Sequence, residues 1–150
     1  MNRLIKKFKS VRLEFLAEVQ TFPVNERTEK LFDKWSLQDV LVHITAWDMW
    51  TVEVIEDFRS GIVPYWPPSI DGFNLAAVAD SKGKSWDDIY LELVESGALL
   101  IEMCKNIPKD LWNKKIWLNK SFTVTNLLNT EIEHYVKEHL SKTLNTMKEN

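Results

Sequence analysis

The chain has 150 residues, 19 basic and 22 acidic side chains, a net charge of −3 and a single cysteine, Cys104. Such a length suits one domain over residues 1–150. The scattered lysines form no basic stripe to meet nucleic acid, and a lone cysteine excludes both an intrachain disulfide and a four-cysteine zinc site within the chain.

The amino-terminal stretch MNRLIKKFKSVRLEFL carries charge throughout its apolar pattern, unlike a signal-peptide core. No apolar run approaches the roughly 20 residues of a membrane span. These features lead us to expect a cytoplasmic protein that contacts neither membrane nor nucleic acid.

Four helices follow from the apolar spacing. The first runs from about Asn2 to Thr21, with Leu4, Ile5, Phe8, Val11, Phe15, Leu16 and Val19 at three- and four-residue intervals. Ser36, with Asp39 three positions on, caps a second helix that continues through Val40, Leu41, Ile44, Trp47, Thr51, Ile55 and Phe58 to a stop at Gly61. Ser85 and Asp88 open a third helix directed towards Pro108, and Ser121 or Thr123 opens a fourth, which carries Leu127, Leu128, Ile132, Tyr135, Val136 and His139 inward. The connection GIVPYWPPSIDGFNLAAVADSKGK is too long for a minimal turn, and a short helix is expected within it around Phe73 to Ala79. Its Tyr65, Trp66 and Phe73 suit the wall of a pocket at one end of the bundle. The segment IWLNKSFTV reads as loop. The fold class is therefore all-α, a four-helix bundle with a long second connection.

His43 and Asp48 interrupt the apolar face of the second helix, and a buried imidazole costs free energy unless a hydrogen bond, a metal or a substrate compensates it. The other two histidines, His134 and His139, both lie in the last helix, so all three imidazoles fall in two helices. Three imidazoles from facing helices, with one position open, would suit zinc, nickel or iron(II). The i, i+5 spacing of His134 and His139 separates them by about 140° on a regular helix. On that phase His139 faces the core with Tyr135, His134 points away, and a π-bulge would bring both inward. Asp48 is a candidate general base or a partner that orients a histidine, balanced against a carboxylate bonded to the loop through Asn74. Asp71 and Asn74 read as a loop-anchoring turn, and Cys104 as core packing.

The pattern W-[ST]-x-x-D-x-L-x-H-x-x-x-W-D from Trp35 to Asp48, D-x-x-N at Asp71 and Asn74, and E-H-Y-x-x-x-H ending at His139 resembles the DinB/YfiT-like superfamily of four-helix bundles. The resemblance implies an up-up-down-down bundle, commonly dimeric, with a divalent metal held by one histidine of the second helix and two of the last. Carried over, the metal ligands are His43, His134 and His139, although the family's usual H-x-x-x-H would place a histidine where Tyr135 stands. Members of known activity include thiol-dependent transferases and isomerases, in which the metal lowers the pKa of a low-molecular-weight thiol.

A related branch, the colibactin self-protection proteins, implies metal-free hydrolysis of a reactive electrophile in an aromatic pocket, here with Asp48, Tyr135 and His43 around a bound water. Asp48 and Tyr135 are thus the catalytic candidates, and a small molecule is the expected partner. A metal-free binding or sequestering protein is the non-enzymatic alternative.

Overall fold

The computed structural model describes residues 2–136, and these contain five α-helices and no strand, with one isolated bridge between Phe32 and Trp35. The helices are α1 (Asn2–Thr21), α2 (Leu37–Arg59), α3 (Ile70–Asp80), α4 (Trp86–Lys105) and α5 (Val124–Glu133). Beyond Glu133 the last helix continues as a π-helical turn over residues 134–136. No helix of the described residues is long and apolar enough to cross a membrane.

Local chemistry accounts for the helix starts. Ser36 accepts from the Asp39 backbone N–H while the Asp39 carboxylate accepts from the Ser36 N–H, a reciprocal capping box that opens α2. Thr123 and Asn126 repeat the device at α5. Ser85 accepts from the Asp88 N–H, which satisfies one otherwise orphaned donor of α4. Each such cap contributes about 1 kcal/mol. At the other end of α2 the chain turns through Gly61 at φ +77°, a left-handed conformation that costs glycine little. The short helix in the long connection is longer than Phe73–Ala79: Ser69 caps it, and it extends over Ile70–Asp80.

The most extensive interface is between α2 and α4, while α1 packs on both α4 and α5, and α2 also meets α5. These four helices close a ring of contacts around one core, with α3 laid against α2. Phe8, Phe15 and Val19 of α1, Leu37, Leu41, Ile44 and Ile55 of α2, Leu93 and Leu100 of α4, and Val124 and Leu128 of α5 fill that core. Leucine and isoleucine side chains buried at this depth each contribute about 1.5–3 kcal/mol of transfer free energy. Between α4 and α5 a 3-10 turn over Lys109–Leu111 leads into loop, which is closed by the Ile116 N–H on the Phe122 carbonyl at 2.9 Å.

A charged side chain enters this core. Arg12 is buried between Phe8 and Phe15 on α1 and donates from Nη2 to the carbonyls of Leu93 (2.6 Å) and Val94 (2.8 Å) in α4. Its space comes from Gly97, where a Cβ would collide with the guanidinium. The absent side chain at residue 97 therefore decides whether a cation fits between α1 and α4.

Candidate functional site

His43 is buried on α2, with the Trp35 ring 4.9 Å from it. Its Nδ1 lies 2.9 Å from Asn74 Oδ1, and the same oxygen receives the Trp47 indole N–H at 2.7 Å. An indole nitrogen only donates, so the Asn74 atom at this junction is the amide oxygen. His43 must therefore carry its hydrogen on Nδ1, which turns the Nε2 lone pair towards α5. There it meets His134 Nε2 at 2.8 Å, with ring centroids 4.7 Å apart. Burial, reinforced by the neighbouring His134, lowers the His43 pKa to about 4, so this imidazole is neutral at pH 7.

The position of His134 corrects the expectation that it points away from the bundle. It stands seven residues after Leu127 and three after Glu131, both buried, and so continues the edge of α5 that faces α2. The buried stripe is wide enough to include this flank as well as the line through Tyr135. Asn74 also differs from expectation: it bonds His43 and Trp47 and is not bound to Asp48, while Asp71 is exposed in the first turn of α3. His139, the third proposed ligand, lies outside the described residues. Among the described residues no group of three histidine, cysteine, aspartate or glutamate side chains is arranged to hold a metal ion.

The imidazole pair opens onto a cavity of about 360 Å³ walled by Trp47, Trp50, Trp66, Ile70, Phe122 and Leu127. Trp47 and Trp50 meet edge to face at 5.3 Å, as do Trp50 and Trp66 at 5.9 Å, so successive rings stand nearly perpendicular. Backbone carbonyls lock the frame: Trp50 Nε1 donates to Tyr65 O at 3.0 Å and Trp117 Nε1 to Pro64 O at 2.8 Å. Of the loop aromatics, Trp66 lines the cavity, Phe73 meets Trp47 at a tilt with ring centroids 4.2 Å apart, and the Tyr65 side chain is exposed. Volume and lining together suit a small apolar or aromatic molecule.

Behind the cavity lies a second titratable group. Asp48 is fully buried, and its Oδ2 accepts from the Tyr135 hydroxyl at 2.7 Å and lies 3.2 Å from Ser96 Oγ. Neither Asp48 nor Tyr135 lines the cavity. Glu131 stands between: it is buried, lines the cavity, and places Oε1 3.2 Å from Thr51 Oγ1. Burial raises the pKa of both carboxyls, and the charge of Asp48 raises that of Glu131 further. The Tyr135 hydroxyl is likewise pushed well above its usual value, first by burial and then by Asp48, so it remains a donor.

Glu131 and Arg12 escaped the sequence reading, although each sits on an apolar stripe, Glu131 between Leu127 and Tyr135 and Arg12 between Phe8 and Phe15. A charge in phase with buried neighbours was the available signal. Cys104 is buried in the core, where burial and then Glu131 push its thiol up to about 12.

Comparisons with protein-family models, with curated proteins and with solved structures found no match to this chain. The class defined by fold is that of an all-helical small domain. The likeness to the DinB/YfiT-like superfamily rests on the residue pattern of α2, α3 and the last helix.

Proposed function

We propose that this chain is a DinB-like, up-up-down-down bundle and a detoxifying or transferring enzyme for a small apolar molecule, using a divalent metal held by His43 and His134 with His139 as third ligand. The observation that carries this reading is the pair of Nε2 atoms 2.8 Å apart at the edge of an aromatic cavity, one with its lone pair aimed by Asn74. Metal-ligating histidines are characteristically oriented in this way, through a hydrogen bond on the other ring nitrogen.

The donor set fits zinc or nickel in chemistry. Nitrogens around a tetrahedral zinc stand about 3.3 Å apart, so the imidazoles would separate by roughly half an ångström to admit it. A bound metal would supply Lewis acidity, lowering the pKa of a low-molecular-weight thiol or a water. The chain's own residues do the rest. Asn74 holds the His43 tautomer, the tryptophans lining the cavity bind and orient the apolar body of the substrate, and hydrogen bonds to the loop carbonyls hold Trp50, and Trp117 stacked behind it, in place. A homodimer is the assembly that the family likeness carries with it.

The 2.8 Å separation is also a direct hydrogen bond, and this favours one alternative: a metal-free binding protein or electrophile hydrolase that keeps the two imidazoles in contact. Elemental analysis of untagged protein purified without chelator separates the two. The expected result is about one transition metal per chain, lost in His43→Ala, His134→Ala and His139→Ala, followed by a thiol-transfer screen on small electrophiles. A parent that is empty and refuses added zinc and nickel overturns the metal reading.

A further inference from the structure

The carboxyl pair behind the cavity has two oxygens without a donor. Asp48 Oδ2 is taken by Tyr135 and Ser96, and Glu131 Oε1 by Thr51, which leaves Asp48 Oδ1 and Glu131 Oε2 buried and without a hydrogen-bond partner while both carboxyls are ionised. The two side chains lie within hydrogen-bonding reach of each other. Two carboxylates cannot share that space as anions, because neither brings a hydrogen and both repel.

We infer that Asp48 and Glu131 hold one proton between these oxygens, and that Glu131, the member lining the cavity, accepts the proton of an ionisable ligand bound there. The inference rests on the proposed function for the nature of that ligand, a thiol or a water. In the step, the ligand X–H bond breaks with its electron pair left on X, and the hydrogen forms an O–H bond with Glu131. The proton previously shared passes wholly to Asp48. The pair goes from one negative charge to none, and the ligand from neutral to anionic.

The surrounding groups set where the shared proton rests. Arg12 reaches in from α1, and its positive charge favours the ionised form of Asp48, so the proton lies towards Glu131 until the ligand's proton displaces it to Asp48. Cys104 on α4 remains a neutral thiol, Tyr135 on α5 donates to Asp48, and His43 and His134 line the cavity with Glu131. Burial raises both carboxyls, which strengthens the pair as a base. Asp48 is a positioning residue in this scheme, since it acts on the ligand only through Glu131.

Two measurements on metal-free protein test the inference. Carboxyl ¹³C resonances of labelled Asp and Glu should show one buried carboxyl protonated at pH 7, a signal that Glu131→Gln removes. Two buried carboxyls titrating together in the ordinary range of surface acids would overturn the shared proton. The second measurement uses a nitrophenol, whose absorbance reports its ionisation while quenching of the cavity tryptophans reports its binding. In Glu131→Gln the bound probe should be about tenfold harder to ionise, and Asp48→Asn, which keeps the side-chain shape, should move it the same way. Quenching with an unchanged ionisation constant overturns the base role alone. Absence of quenching overturns the cavity reading and the base role with it, whereas the carboxyl resonances decide the shared proton whichever way the metal analysis falls.

Discussion

Helices α2 and α5 carry two titratable pairs, His43 with His134 and Asp48 with Glu131, and they answer the cost of burial differently. His43 becomes neutral and aims its Nε2 lone pair at the Nε2 of His134 beside an aromatic cavity. The carboxyls keep a charge and require helpers from every side: Arg12 through the gap at Gly97, the hydroxyls of Tyr135 and Ser96, and Thr51. The first pair borders an apolar cavity of a size for a small molecule, while the second keeps two carboxyl oxygens, Asp48 Oδ1 and Glu131 Oε2, without a donor inside the core. A buried polar cluster is therefore better read by which of its hydrogen-bonding capacities remain open than by how many residues it contains.

The comparison breaks most visibly at Arg12. Arg12→Met should cost about 2–4 kcal/mol in urea unfolding, because Asp48 then keeps its burial without the compensating charge. A loss below half a kilocalorie would mean that Arg12 merely packs. Gly97→Ala acts on the same feature from the α4 side, and about 1–3 kcal/mol is expected as the guanidinium is displaced. At the imidazole pair, Asn74→Ala leaves the Trp47 and His43 donors without their acceptor, for about 1–3 kcal/mol. It should also lower metal affinity about 10- to 100-fold if the metal reading holds, which titration with a chelator of known affinity would reveal.

The two pairs should also answer pH in opposite senses, at most about 1.4 kcal/mol per pH unit for each proton. For His43 the folded pKa lies below the unfolded value, so the unfolded chain binds more protons between them and stability falls as pH drops from 6.5 towards about 4. For Glu131 the folded pKa lies above the unfolded 4.5, so its contribution is complete below 4.5 and declines as pH rises towards the folded value. Urea midpoints of metal-free protein across this range should rise relative to wild type at low pH in His43→Asn, and at high pH in Glu131→Gln. Parallel profiles would sink the assignment. The smallest effect belongs to Cys104: with its thiol at about 12, alkylation in native buffer should be negligible and should appear only in denaturant.

Much of the fold was legible because its signals are local. Ser36 with Asp39, Ser85 and Thr123 cap helices through contacts three residues away, and the apolar stripe of α1 repeats at helical intervals from Ile5 to Val19. The site was legible in part. His43 and Asp48 stand out as polar residues in an apolar face, while Glu131 and Arg12, equally in phase, draw no such notice because acidic and basic side chains are frequent along the chain.

By itself the sequence determined the helices, their starts and the placing of His43 and His134 on two of them, since propensity, capping and periodicity act within a few residues of chain. Only the tertiary structure decided that His134 faces His43, that Asn74 serves the histidine and leaves Asp48 to Tyr135, and that Gly97 makes room for Arg12. Each of those contacts joins residues 31 to 91 positions apart or depends on a side chain's absence in a facing helix. Their geometry is set by how four helices pack, and no short-range pattern along the chain encodes it.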